Sequence, residues 1–578
     1  MNKESLKHLI DVAAGRKPAD LVIKNAKIVD VYQGQMIEGD IAITNGLIAG
    51  IGQDYDGAEI HNLQGKVIAP GFIEPHIHVE SSLVTPEEFG RLLAINGTTT
   101  ALADPHEFVN VAGMKGLTYM IQAKKNVPVD IRYMLPSCVP ATNMENSGAE
   151  VTAQDMIQPL RDGDVDGLAE FMNFPGIINN DDDTIDKVMV ARQFNKRIDG
   201  HSPMVAGKEL NAYVAAGVSN DHECTTVEEM HERLSRGMYV FLREGSVTQN
   251  LRKLLKGVTV HNSHRCVLTG DDIQAKTFLE RGHLNYSVRV SVEEGIDIFT
   301  AIQMATLNAA QACQLNDRGA IAPGLRADFV VFNDLEKLKV HRTYAQGQII
   351  AQDGQYLVDI ERESYASIQS SVRYKDFSID RLSLPLTSNK ARAIEVIENE
   401  AITNDAIVTV DRDDQGHFQY NPTQDIVKIS VIERHNLTGN VAVALLKGYG
   451  MKHGAIAQSI AHDNHNVVVA GTNDSDMAFA VQEIERLQGG IVLVKDGEVI
   501  ASLALPVGGL MSDLPAEGVA SQLEELNRVA YEELEISEKV DPTMTLGFMP
   551  LAVIPNLKLT DMGLVDVTKF KFVDVTVD

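Results

Sequence analysis

The sequence of 578 residues has no tryptophan and only four cysteines. The cysteines are scattered along the chain and form no C-x-x-C pair; they are Cys138, Cys224, Cys266 and Cys313. This spacing argues against a disulfide framework, which needs dense and regularly spaced cysteines. It is typical of a reducing compartment, so we expect the protein to be cytoplasmic.

Basic residues are also in short supply. Lysine and arginine number 51 against 80 aspartates and glutamates, which gives a formal net charge of -29. A surface this acidic repels phosphate backbones and anionic lipids, which argues against nucleic acid and membrane partners. The chain has no apolar run that could span a bilayer, and its first residues lack the apolar core of a signal peptide.

The length predicts more than one domain. Short strands with tight turns fill residues 21–70, and similar strands return over 324–350. We predict that 1–70 and 323–364 form one small split β domain and that 71–322 is inserted within it. Residues 365–578 are expected to form a separate α+β domain.

The insertion alternates strands with helices, which indicates a parallel sheet in an α/β fold. After the strand that reaches His76, strands are expected at 98–104, 129–136, 165–171, 198–201, 218–223, 239–243 and 266–269. Eight strands with intervening helices predict a (β/α)8 TIM-like barrel. Capping boxes are expected at Thr85 with Glu88 and at Thr226 with Glu229.

Ionisable side chains follow the ends of these strands. His76 and His78 share one face of the first strand, because alternate side chains point the same way. An H-x-H pair alone is as compatible with two ordinary, partly buried histidines. The full set favours a functional site at one barrel rim, where barrel enzymes keep their chemistry. Its members are His76, His78, Glu170, His201, His222 and Asp271.

This pattern resembles the amidohydrolase superfamily, and several stretches resemble its bacterial adenine deaminase family more narrowly. These stretches are G-F-I-E-P-H-I-H-V-E-S-S (71–82), A-D-P-H-E (103–107), D-G-H-S-P (199–203), N-D-H-E (220–223) and A-H-D-N-H-N (461–466). The resemblance implies hydrolytic deamination of adenine to hypoxanthine and ammonia in purine salvage, at a two-metal site. Family members more often carry Asp and a small residue where this chain has Glu74-Pro75.

The ligand types suit two divalent ions. His76, His78 and Asp271 suit one ion, His201 and His222 suit the other, and Glu170 has two oxygens with which to bridge them. Such ligands accept zinc, iron(II) or manganese(II), and intrinsic affinity favours zinc, whereas the resemblance points to manganese or iron. Either ion would supply the nucleophile by lowering the pKa of bound water towards about 7.

Further residues are candidates for proton transfer and substrate contact. Asp271 is the candidate general base, and then the general acid. The neighbouring Asp272 is expected to cap the following helix. Glu107 or His106 could protonate the ring, although a helix cap and a surface histidine are equal alternatives. Arg243 and Glu244 could touch the base or form an internal ion pair, and His283 and Asn285 are expected to shape the substrate site.

The remaining histidines lie beyond the barrel. His453, His462, Asp463 and His465 form a second cluster, for which we expect loop or interface roles. The region that carries them could cover the barrel mouth as a lid. Two alternatives to adenine deamination stay open: another cyclic amidohydrolase, acting on a hydantoin, dihydroorotate or imidazolone ring, and a non-catalytic barrel relative. A homo-oligomer is expected.

Overall fold

The barrel is built from parallel strands as predicted. The structure, a computed structural model, describes residues 1–369, 371–398 and 400–577. Within those residues eight short parallel strands follow one another around the barrel: Phe72–Ile77, Thr98–Ala103, Asp130–Tyr133, Gly167–Phe171, Arg197–Gly200, Asn220–Asp221, Tyr239–Arg243 and Cys266–Thr269. Each strand pairs with the next, and a bridge between Ile77 and Asp271 joins the last strand to the first. The (β/α)8 prediction is confirmed.

One apolar layer fills the inside of the barrel. It contains Ile73, Leu102, Met134, Ala169, Phe241 and Val267, each contributed by or beside a different strand. These side chains are buried on the inner face while their strand neighbours pack outwards against the helices, so the strands are apolar on both faces. The interior is therefore a packed core. It also holds a buried ion pair of Arg197 with Asp199, and the Arg197 guanidinium lies 3.3 Å from Met134 Sδ.

Helices cover the outside of the barrel. They are Pro86–Ile95, His106–Ala123, Ala153–Asp162, Phe174–Ile178, Asp182–Gln193, Gly207–Ala215, Val227–Leu234, Leu251–Leu254, Ala275–Glu280, Leu284–Glu293, Ile298–Met304 and Leu307–Ala312. The capping box of Thr226 and Glu229 is confirmed. The one at Thr85 is wrong: among the described residues its hydroxyl has no hydrogen-bond partner, because Glu88 turns to Arg91 and to the backbone of Ala516.

A second sheet brings together segments from before and after the barrel. In the described part of the chain it has nine strands: Ala19–Asp30, Gln35–Thr44, Leu47–Gly52, Gly57–Asn62, Val67–Pro70, Phe329–Phe332, Val340–Ala345, Gln348–Gln352 and Gln355–Tyr356. The two segments meet where Val67–Pro70 pairs antiparallel with Phe329–Phe332. The turn at Asn45-Gly46 has φ of 52° and 72°, the left-handed backbone expected for that dipeptide.

The C-terminal region is α+β. Over the residues described there, its main sheet has eight strands: Lys390–Val396, Thr403–Thr409, Ile426–Ile432, Val441–Lys447, Ala455–Gln458, Val467–Gly471, Gly490–Lys495 and Glu498–Ala504. Smaller sheets are formed by Asp411–Arg412 with Phe418–Gln419, and by Leu557–Thr560, Gly563–Asp566 and Lys571–Phe572. The helices are Asp474–Leu487, Ala516–Glu532 and Pro542–Gly547, and Lys3–Ala13 lies at the other end of the chain. Of all helices in the described residues, none is both long and apolar enough to cross a bilayer.

A lysine is buried in the C-terminal region without a carboxylate partner among the residues described. Lys558 donates from Nζ to the carbonyl oxygens of Ala401 at 2.6 Å and Phe548 at 2.9 Å. Burial lowers the pKa of its ammonium group to about 7, because the charged form is poorly solvated there. Stability should therefore depend on pH above neutrality.

Replacing Lys558 with methionine should flatten that dependence. The lysine side chain has a pKa of about 10.4 in the unfolded chain, so above about pH 7 the unfolded chain keeps a proton that the folded chain has lost. The free energy of unfolding then rises with pH across this window. We expect the free energy of unfolding of wild type, measured by urea denaturation, to rise relative to that of Lys558→Met. The rise should be about 2 kcal/mol between about pH 7 and about pH 9. The exposed Lys339→Met variant is the control, and a difference independent of pH would contradict the lowered pKa.

Candidate active site

The six predicted ligands lie together at the rim formed by the strand ends. All six side chains are buried: His76, His78, Glu170, His201, His222 and Asp271. Hydrogen bonds between the last and first strands fix part of the group, since the Asp271 amide donates to the His76 carbonyl and the His78 amide donates to the Asp271 carbonyl. The rings of His76 and His222 stack with centroids 4.1 Å apart.

Glu170 lies between two groups of imidazoles. Its Oε2 is 2.6 Å from Nδ1 of His201 and 3.2 Å from Nε2 of His222. Its Oε1 is 3.5 Å from Nε2 of His78 and 3.4 Å from Nδ1 of His106. Each carboxylate oxygen therefore faces a different pair of ring nitrogens, which is the arrangement that a bridging carboxylate requires.

Asp271 is held on both of its oxygens. Its Oδ1 lies 3.1 Å from Nε2 of His78 and 3.3 Å from Nε2 of His76, and its Oδ2 accepts a hydrogen bond of 2.9 Å from Arg243. The backbone at Asp271 has φ of 62°, a left-handed conformation that aspartate tolerates better than most residues. This turn directs the carboxylate into the rim.

The electrostatics of the group are those of acids surrounded by imidazoles. Burial alone would raise the pKa of the Glu170 carboxyl, but His201 and His222 hold that pKa well below its ordinary value. In the same way, burial opposes ionisation of Asp271, and the imidazoles of His76 and His78 lower its pKa well below the usual range. Both carboxylates are therefore ionised at neutral pH and available as ligands.

The donor set fits divalent cations. Ring nitrogens and carboxylate oxygens lie within 4.8 Å of one another in His76, His222 and Asp271, and again in Glu170, His201 and His222. His76 Nε2 is buried and has no hydrogen-bond partner among the described residues, although Asp271 Oδ1 is close. A ring nitrogen and a carboxylate oxygen that lie close together without a hydrogen bond between them are typical of two ligand atoms that share a metal ion. His222 belongs to both sets, whereas the sequence assigned it with His201 alone.

Glu223 completes the charge balance at the rim, although it is absent from the candidate residues named from the sequence. It forms an ion pair with Arg243, and its Oε1 lies 3.4 Å from Nε2 of His222. Arg243 is thus bound by two carboxylates, those of Glu223 and Asp271, so the internal ion pair considered for Arg243 is present. The signal was available, because Glu223 directly follows His222 in the N-D-H-E stretch.

Three candidate substrate residues lie outside the cavity above these ligands. Glu244 pairs with Arg281 at 2.9 Å, on the outer side of its strand. His283 donates or accepts at Glu74 Oε2 across 2.9 Å, and the Asn285 side chain accepts a hydrogen bond from the His283 backbone. Because Glu74 also accepts the backbone N–H of His76, this group supports the ligands from below.

The cavity is closed by two parts of the chain. It has a volume of about 70 Å³, and its lining includes five of the six predicted ligands, all except His76, together with His106, Glu107 and Arg243. The opposite wall comes from the C-terminal region and includes Ala401, His462, Asp463, Phe548, Leu551 and Ile554. A wider cleft of about 700 Å³ lies beside residues 139–143 and 172–176, away from the upper rim ligands.

His106 and Glu107 are buried at this cavity, and Asp272, which also lines it, is half-buried. The alternative of a surface histidine is therefore wrong for His106, whose Nε2 lies 3.4 Å from Asp463 Oδ1. Glu107 does not cap a helix either, because it lies inside His106–Ala123 and its Oε1 is 2.9 Å from His462 Nδ1. The capping role expected for Asp272 is wrong, since the next helix begins at Ala275 and Asp272 instead accepts a hydrogen bond from Ser81.

Comparisons with known proteins agree with this geometry. The family model described as "Amidohydrolase family" matches residues 67–350, and the one described as "Adenine deaminase C-terminal domain" matches residues 400–571. A protein named adenine deaminase from Ligilactobacillus salivarius is 57% identical over 578 residues, which is 100% of both chains. The chain belongs to the adenine deaminase family.

Other relatives extend the same result. Proteins named adenine deaminase 2 from Desulfotalea psychrophila and Latilactobacillus sakei are 54% and 52% identical, again over 100% of both chains. The resemblance to the adenine deaminase family and its superfamily, stated from the motifs, is confirmed. It extends beyond the barrel, since the family match includes the region that supplies the upper wall of the cavity.

Changing the central carboxylate should release metal. Glu170→Gln keeps the size of the side chain but removes the charge that faces both groups of imidazoles, so we expect metal affinity to fall by at least about 10- to 100-fold. Metal content after gentle purification, measured by mass spectrometry, checks this. The matched control is Glu244→Gln, which should keep its metal; equal metal content in both variants would contradict the central position of Glu170.

Proposed function

We propose that this protein hydrolyses adenine to hypoxanthine and ammonia. One observation carries the proposal: six imidazole and carboxylate side chains converge at the barrel rim, five of them lining one cavity, in a chain that matches named adenine deaminases from end to end. The substrate is a small molecule, which would bind where the rim and the C-terminal region meet. Purine salvage is the corresponding role.

We propose that the rim holds two divalent ions, manganese or iron(II) rather than zinc. His76, His78 and Asp271 would hold one, His201 and His222 the other, and Glu170 would bridge them. Bound there, such ions activate water as a nucleophile and stabilise charge that develops on the ring. Support comes from the two overlapping sets of donor atoms and from the unpartnered His76 nitrogen within the described residues.

Asp271 is the proposed proton carrier. The attacking water must lose a proton and the leaving amine must gain one, and a carboxylate beside the nucleophile can serve as base and then as acid. Arg243 supports this role because it occupies Asp271 Oδ2 and leaves Oδ1 facing the ligands. Arg243 is also a candidate contact for the base, since it lines the cavity.

Glu107 and His106 are the proposed partners of the purine ring. Both line the same wall of the cavity, where they can reach a ring nitrogen that must be protonated during deamination. The apolar side chains of Phe548, Leu551 and Ile554 would lie against the ring and keep water out, as a lid does. Glu244, His283 and Asn285 would act indirectly, through the residues they support.

We propose a split β domain of residues 1–70 and 323–364, a barrel domain of 71–322 and a C-terminal domain of 365–578. The strand pairing between Val67–Pro70 and Phe329–Phe332 supports the first of these. A cytoplasmic location, a homo-oligomer, and the lack of nucleic acid or membrane partners stay predictions from composition; size-exclusion chromatography checks the oligomer.

Metal-depleted protein supplied with manganese or iron(II) should release ammonia from adenine and yield hypoxanthine. The measurement is coupled ammonia detection with chromatography of the purine product. Hydantoin, dihydroorotate and an imidazolone are the competing substrates, because a related barrel enzyme would open those rings instead. Turnover of one of them, with adenine untouched, would reject the proposal.

Asp271→Asn should lower kcat by about 100-fold or more, because the amide cannot carry the proton between water and amine. The control is Asp328→Asn, which changes a buried aspartate of the split sheet and should leave kcat near wild type. Near-normal turnover in Asp271→Asn would show that another group carries the proton.

A further inference from the structure

Two imidazoles from the C-terminal region surround Glu107 at the cavity. His462 Nδ1 lies 2.9 Å from Glu107 Oε1, and a ring nitrogen of His465 completes a group whose atoms lie within 4.8 Å of one another. His462 and Glu107 both line the cavity, and all three residues are buried. The group therefore joins the barrel to the C-terminal region at the place where substrate would bind.

The same three residues are not arranged for a cation. The Ala461 backbone N–H donates to Nδ1 of His465 at 3.2 Å, so that nitrogen has no free lone pair. Neutral histidine then carries its proton on Nε2, which makes the second nitrogen a donor. His462 is therefore the imidazole that bonds the Glu107 carboxylate, whereas His465 Nε2 lies nearby without a hydrogen-bond partner among the described residues.

The segment that carries His462 is fixed on two sides. Towards the barrel, the Asn464 amide donates to Glu145 Oε2 at 2.6 Å. Towards the C-terminal sheet, the buried Arg434 donates to the His465 carbonyl and, at 3.2 Å, to the Gly508 carbonyl. The ring of His462 stacks on Phe548 with centroids 4.8 Å apart. This support holds the ring in a single orientation, as a group that orients a catalytic residue requires.

We propose that His462 is a positioning residue for Glu107: it orients the carboxyl group beside the substrate ring and shares with it the proton that the ring receives. The inference rests on the proposed deamination and adds to it a role for the C-terminal region, which would supply part of the catalytic apparatus as well as a cover.

The atoms of the reaction balance with this role. When water adds at C6, the C6–N1 π electron pair moves to N1. The proton that the His462 imidazolium shares with the Glu107 carboxylate passes from Nδ1 to Glu107 and from Glu107 to N1, which leaves His462 neutral and Glu107 ionised. The C6–N6 bond then breaks and the amine leaves as ammonia. Hypoxanthine keeps the proton on N1, so of the two protons lost by water, one reaches the amine and the other restores the pair.

Two substitutions of His462 separate this role from simple packing. His462→Asn keeps a side-chain N–H near the position of Nδ1, whereas His462→Leu keeps the volume against Phe548 and removes the donor. We expect Leu to lower kcat by about 10- to 100-fold and Asn to stay within about threefold of wild type, the range typical of groups that orient ligands or catalytic residues. A packing role would give the opposite order, because leucine packs better than asparagine there.

A substrate analogue provides a second readout. 1-Deazaadenine has carbon in place of N1, so it has no group for the Glu107 pair to protonate. Its inhibition constant should change by less than about twofold in both variants, while kcat for adenine falls only in His462→Leu. His453→Leu, an exposed histidine of the same region paired with Glu535, is the control and should match wild type.

Several results would overturn the inference. They are equal rates in the Leu and Asn variants, a slower Asn variant, or loss of 1-deazaadenine binding in parallel with kcat, which would mark a structural role. Metal content, measured on each variant, should equal that of wild type. If wild type released no ammonia from adenine, the proposed function itself would fall, and that outcome is distinct from a His462 variant that works normally in an active enzyme.

Discussion

Closure of the barrel is the constraint on which the site depends. The last strand bonds to the first through the backbones of His76, His78 and Asp271, so a single pair of hydrogen bonds brings together ligands from opposite ends of the inserted segment. Without closure, no backbone hydrogen bond would hold Asp271 beside His76 and His78. With it, the strand ends form one ring, and the six predicted ligands point to the same centre.

Burial of so much charge is possible only because each group is compensated. Glu170 and Asp271 are surrounded by imidazoles, Arg243 lies between Glu223 and Asp271, and Glu107 faces His462. A carboxylate buried alone would lose its proton with difficulty and destabilise the fold. The same compensation would let cations take the place of protons among these side chains.

The sequence revealed those parts of the site that local patterns encode. The meeting of the six rim side chains could be predicted because each lies at or just beyond the end of an apolar strand, and strand period fixes the side on which each residue lies. The pattern was less informative at Arg243 and Glu244, where adjacent residues face opposite sides of one strand and only packing decides which enters the cavity. Asp272 and Thr85 looked like caps but bond elsewhere. His462 and Asp463 reach the barrel only through docking of the C-terminal region, which no local periodicity describes.

The split sheet cannot be completed until the whole barrel has been synthesised, and this delay affects the solubility of the nascent chain. The strand Val67–Pro70 leaves the ribosome long before its antiparallel partner Phe329–Phe332, because the whole barrel lies between them in the chain. Until that partner arrives, an apolar strand edge stays open, and open edges recruit other chains. Fragments that stop inside the barrel should therefore aggregate even where their own strands are complete, so the nascent chain has its greatest need for chaperones during the middle of translation.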